Sequence, residues 1–303
     1  MNVIDGRHIL LLTGLLLLAA CRFDAPDPTK EDTPTQGRVL ILADADCAAM
    51  VERELGIFHS FYKKADITVR YLDEADMLRA MMNDSVRCVI TTVEPGAEQD
   101  AYYRSRNITP PVVPLYHSAI AVVVGPASGL SQLDMGQVAR LLGKEGAEQA
   151  PDTLQAIFAG KGSGLARLLK DSLGIGQLRA QALADIPAVV EQLERSPRSV
   201  GFLPYEAISD LDDPRVQALR ERVRILPVAG QGGGPPVLPS QSTIADGSYP
   251  LLRTVKAIVT EGKSGLGTGF VSFVANHKGQ KIILKLGIVP ITVPERIIDI
   301  VHN

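Results

Sequence analysis

From Arg38 onward the chain alternates between short apolar runs and longer stretches of helical periodicity. Val39 to Leu42 is a compact apolar run suited to a buried strand, and Val51, Leu55, Phe58 and Tyr62 then recur at three- and four-residue steps, the spacing of an amphipathic helix. Ile67 to Tyr71 predicts a second strand, Met77, Leu78 and Met81 a helix, and Cys88 to Thr92 a third strand. Val112 to Tyr116 and Ala119 to Val124 predict two more. Strand, helix, strand, helix at this spacing implies a parallel sheet covered on both faces.

Gly125-Pro126 punctuates the chain, and a second unit follows. Leu133 to Leu142, Gly164 to Leu173 and Ile186 to Leu193 are helical in pattern, whereas Leu154 to Phe158, Val200 to Leu203 and Val223 to Val228 read as strands. Gly230 to Pro236 is too rich in glycine and proline for a regular element. Leu251 to Val259 is strand-like, and Gly267 to Leu286 is mainly helical with a break near Asn276. An α/β chain of this kind leaves one lobe, builds another and returns.

The N-terminus reads differently. Arg7 precedes a mostly leucine core from Ile9 to Leu18, too short for a spanning helix of about 20 apolar residues but of the length found in export signals. Leu18-Ala19-Ala20-Cys21 resembles the bacterial lipobox, so residues 1–20 are expected to be a lipoprotein signal and Cys21 the lipidation site. Residues 21–37 carry Pro, Asp, Thr and Lys with little to bury and read as a tether. This places the protein on the periplasmic side of the envelope, held to a membrane through Cys21.

Composition narrows the function. With 46% hydrophobic residues the rest of the chain can bury a large core, and a formal charge of -3 lacks the basic excess of a nucleic-acid binder. The five histidines show no metal-ligand spacing, and no nucleophile, base and orienting group come together, so neither metal, cofactor nor catalysis is expected. Cys47 and Cys88 are equally compatible with a disulfide and with buried free thiols.

One segment has the makings of an anion site. Phe158-Ala159-Gly160-Lys161-Gly162-Ser163-Gly164 runs from a strand through a glycine-rich turn into a helix. The first amides of a helix have no internal partner, and the helix dipole adds partial positive charge there. Ser163 supplies a hydroxyl, Lys161 and Arg167 supply charge, and the amides of Gly164 and Leu165 face outward from the helix start. Ser163 as an ordinary helix cap accounts for the same residues.

The C-terminal third carries a family resemblance. Tyr249-Pro250-Leu251, Gly279-Gln280-Lys281 and Gly287-Ile288-Val289-Pro290 resemble the PstS-like phosphate-binding proteins, as do Asn83 to Arg87, Lys170-Asp171-Ser172-Leu173 and Val200-Gly201-Phe202. The nearest likeness is to lipoprotein members from Bacteroidota-type bacteria. The resemblance implies a type II periplasmic binding protein fold, two α/β lobes joined by a hinge with a cleft between them. Residues 38–123 plus 236–303 would form lobe 1 and residues 124–235 lobe 2. It also implies phosphate or a related oxyanion as ligand and an ABC permease as partner.

Family contacts to phosphate come from the turns after the first and third strands and from the glycine-serine loop. Here these correspond to Asp46 and Cys47, to Thr92, and to Gly162, Ser163, Gly164 and Leu165. The match is mixed. Asp46 stands where a hydroxyl is usual, Val93 and Ala159 where arginines occur, and Leu165 where a threonine occurs. An anion about 4 Å from an ionised Asp46 would be repelled by about 4 kcal/mol at an effective dielectric near 20. A carboxylate can instead accept the proton that phosphate still carries. Two readings therefore stand: an oxyanion receptor, or a related fold with weak or no ligand binding that serves as an interaction or scaffold component of an envelope complex.

Overall fold

A computed structural model describes residues 32–83, 86–143, 154–160 and 163–292. The expected signal, lipidated Cys21 and most of the tether lie outside these residues, as do Lys161 and Gly162. In chain order the elements are β1 (Gly37–Asp44), α1 (Ala48–Phe61), β2 (Ala65–Leu72), α2 (Glu74–Ala80), β3 (Cys88–Thr91), α3 (Ala97–Arg104) and β4 (Val112–Val124). Next come β5 (Leu133–Asp134), α4 (Met135–Leu142), β6 (Gln155–Ala159), α5 (Gly164–Ser172), β7 (Gln181–Leu183), α6 (Ile186–Arg195) and β8 (Ser199–Pro204). The chain continues through α7 (Pro214–Arg222), β9 (Arg224–Ile225), β10 (Val228–Ala229), α8 (Gln241–Ala245), β11 (Leu252–Val259), α9 (Leu266–Ala275), α10 (His277–Lys285) and β12 (Val289–Pro290).

The strands run β2-β1-β3-β11-β4-β8-β6-β7, a mixed sheet in two halves that share β4. In one half β1 lies parallel to β2 and β3, and in the other β6 lies parallel to β7 and β8. β4 pairs antiparallel with β11 along its first part and with β8 from Ile120 to Val124, so one strand crosses between the lobes. The architecture is the type II periplasmic binding protein fold anticipated above.

Two expected strands are in fact one. Pro114, His117 and Ser118 interrupt the apolar run of β4, yet the ladder continues past all three. Ser118 is fully buried because its hydroxyl donates to the Glu206 carboxylate at 2.6 Å, which removes the usual penalty for a polar group inside a sheet. Conversely, the run from Val223 to Val228 splits: β9 pairs with β4, whereas β10 pairs with β5. The break near Asn276 is real, since Asn276 ends α9 and begins α10.

The residues behind the family resemblance mostly build the fold. Tyr249 is fully buried and its hydroxyl donates to the Ile120 carbonyl at 2.8 Å, pinning the return segment to β4. Gln280 donates to the carbonyls of Leu115 and Val274 at 3.0 and 2.9 Å and accepts from the Thr292 amide. Gly279 packs on Val274, whose carbonyl oxygen would lie 2.4 Å from an added Cβ. Cys47 and Cys88 are both buried free thiols, so the disulfide alternative falls away.

Candidate functional site

Loops at the carboxyl ends of β1, β3 and β6 converge between the lobes, where open α/β sheets bind ligands. Asp44 closes β1, and a short 3-10 turn, Ala45–Cys47, follows it. The Asp44 side chain sets this turn by accepting from the Asp46 amide at 3.0 Å. Thr92 stands just past β3, and Ser163 caps α5 in the other lobe.

The donors at the start of α5 are already engaged. Asp46 Oδ2 accepts from the Ser163 hydroxyl at 2.6 Å and from the Leu165 amide at 3.1 Å, reaching across the cleft from the first lobe. Ser163 is thus both the N-cap, with its Oγ 3.2 Å from the Leu165 amide, and the donor to a carboxylate. Asp44, Asp46, Thr92, Ser163 and Leu165 retain only 1, 6, 7, 8 and 1% of their exposure, so the cleft is closed over them.

Gly164 makes this approach possible. An added Cβ would lie 2.2 Å from Asp44 Oδ2 and 3.2 Å from Thr92 Oγ1, so only glycine lets the two lobes meet here. Asp44 Oδ2 and Thr92 Oγ1 are themselves buried without a hydrogen-bond partner among the described residues. Burial, and then the neighbouring Asp46, push the Asp44 carboxyl up to about 7. Burial also raises Asp46, against the opposing pull of Arg253, Ser163 and the Leu165 amide.

A second buried cluster supports the turn from behind. Arg253 of β11 donates to the Asp46 carbonyl at 2.9 Å and pairs with Glu206, both side chains being wholly buried. Glu206 lies in the 3-10 turn after β8 and also accepts from Tyr116 and Ser118, at 2.7 and 2.6 Å. Burial pulls the Arg253 guanidinium down, but Glu206 together with Cys47, Tyr116 and Asp46 outweighs this and holds it above its ordinary value. The other residues expected at the site have different roles. Arg167 bonds Glu74 at 2.6 Å and Asp171 at 2.8 Å, and the Cys47 thiol is raised by burial and stays protonated.

Sequence reasoning brought Asp46, Thr92, Ser163, Gly164 and Leu165 to one place but missed Asp44, Glu74, Arg253 and Glu206. A signal existed for Arg253, one of two charges with Lys256 inside the strand-like run from Leu251 to Val259, since a charge on a buried strand needs a counter-ion. Among the described residues no group of three or more His, Cys, Asp or Glu is placed to hold a metal. Chemically, the arrangement is a helix N-terminus and a hydroxyl of the kind that suits an anion, both bonded to a carboxyl oxygen of the same chain.

Residues 28–278 match the PBP superfamily domain. No curated protein matches the chain. Among solved structures, a putative phosphate ABC transporter substrate-binding protein from Clostridium perfringens with bound phosphate is similar at TM-score 0.66 and 13% identity, covering 84% of this chain and 100% of that one. An ABC-type phosphate transport receptor from Vibrio cholerae gives 0.60 and 11%, covering 84% and 99%. OxyR of Corynebacterium glutamicum, in mutant form, gives 0.54 and 12%, covering 94% of this chain and 77% of that one. The fold thus serves more than one task, and the site must decide between them.

Proposed function

This chain belongs to the periplasmic binding protein superfamily, and from that premise we propose that it is a lipid-anchored solute-binding protein whose interlobe seat suits phosphate or a related oxyanion and is held, without solute, by its own Asp46. The observation that carries this reading is the pair of bonds from the Ser163 hydroxyl and Leu165 amide to one carboxylate oxygen. Donors that satisfy a carboxylate satisfy a phosphate oxygen by the same geometry and charge. The phosphate-receptor structures of the same fold support the choice of solute, and Cys21 supports the anchor. In this role the protein would deliver its solute to an ABC permease.

Occupation of the seat by Asp46 sets the affinity. A hydrogen bond to a charged group contributes about 1.5 to 3 kcal/mol, and two must be surrendered before an oxyanion binds. The exchange weakens binding about a hundredfold or more, which places the protein among low-affinity receptors. Calorimetric titration of inorganic phosphate into the full-length protein and into Asp46→Ser tests this. The expected result is millimolar or weaker binding by the wild type and binding tighter by about a hundredfold in the variant. A folded Asp46→Ser protein that binds no phosphate would remove the oxyanion reading. The seat's closure by the chain itself would then favour the interaction or scaffold role in an envelope complex.

A further inference from the structure

We infer that the two lobes of this protein are latched closed without any solute, because lobe 1 itself supplies the carboxyl acceptors that a bound anion would otherwise bring. The inference goes beyond the oxyanion reading and stands whether or not phosphate is the solute. In a cleft that closes on an anion, both faces are donors or positive, and the anion bridges them. Here the faces are directly complementary.

Helix α5 presents its amino end, the Ser163 hydroxyl and Arg167, while Asp46 and Glu74 of the other lobe meet them. Arg167 is aimed by Asp171 one turn along its own helix, which takes Nη1 at 2.8 Å and leaves Nε on Glu74 at 2.6 Å. The Glu74 side chain keeps only 14% of its exposure and that of Arg167 only 33%, so this pair is screened less than an ordinary surface pair. A second tie joins α1 to the segment after β8, where Arg53 bonds Asp210 and lies 3.5 Å from Asp213. Gly164, packed on Asp44, lets the faces come into contact rather than leaving room for a bridging molecule.

Closure is then uncoupled from solute, and a partner that recognises the closed shape meets it at all times. Pulsed electron resonance between spin labels on Lys63→Cys and Gln177→Cys, both exposed and on opposite lobes, reads the interlobe distance in the full-length protein. The expected distribution is narrow and unchanged by millimolar inorganic phosphate. Adding Asp46→Ser with Arg167→Ala should shift it to longer distance and broaden it. Recovery of the narrow distribution when phosphate is added to that variant supports both proposals. Opening without recovery supports the latch and overturns the oxyanion reading. A wild-type distribution that is broad and long without phosphate, or a doubly substituted protein that is folded by circular dichroism and still narrow without phosphate, overturns the latch.

Discussion

Arg253→Met should lower the stability of the protein by about 3 to 5 kcal/mol, the cost of leaving one partner of a buried ion pair without the other. Neither Arg253 nor Glu206 retains any side-chain exposure, so water cannot take over the charge of the remaining partner. Glu206 would keep the hydroxyls of Tyr116 and Ser118 but lose its only cation among the described residues. The Asp46 carbonyl would also lose its donor, loosening the turn that carries Asp46 to the seat. Urea unfolding measures the loss, and a second substitution, Glu206→Gln, should return much of it because no buried charge is then left unpaired. Losses that merely add in the double variant would mean that the pair is not coupled.

Glu54→Gln should act in the opposite direction and only above acid pH. Glu54 lies on α1, fully buried, with neither carboxyl oxygen hydrogen-bonded among the described residues. Burial raises it from 4.5 to about 9. In the unfolded chain the group loses its proton near 4.5, while the folded protein keeps it to about 9. Between those limits the unfolded state binds fewer protons, so stability falls as pH rises, by about 1.4 kcal/mol per pH unit for this one group. The glutamine variant lacks that loss. Relative to the wild type it should gain about 3 kcal/mol between pH 4.5 and pH 7. Urea midpoints followed across that range would show the two curves diverging, and parallel curves would contradict the assignment.

The alternation of apolar runs and helical periods was enough to read the α/β class, the leave-and-return path and most elements, because these follow from local burial patterns. Elements with little to bury escaped it. Helix α7 has no buried residue, and α3 buries only Gln99 and Tyr103, so neither leaves a strong apolar stripe. At the site, Ser163 and its neighbours were legible because a helix start announces itself in sequence. The partner of Ser163 was not, since the Asp46 contact spans 117 positions and the pairing of Arg253 with Asp46 spans 207. Local pattern carries no information about which of several carboxylates will fold against a given donor. The sequence left Asp46 as either a repulsive neighbour of a bound anion or an acceptor of its proton, whereas in the fold Asp46 itself accepts from Ser163 and the Leu165 amide.

The most direct test follows the Leu165 amide proton by nuclear magnetic resonance during titration with inorganic phosphate. Held by Asp46, its resonance should stay in place through micromolar phosphate in the wild-type protein and move towards saturation in Asp46→Ser. A wild-type Leu165 resonance that shifts and saturates at micromolar phosphate would show those donors open to solute and contradict occupation of the seat by Asp46.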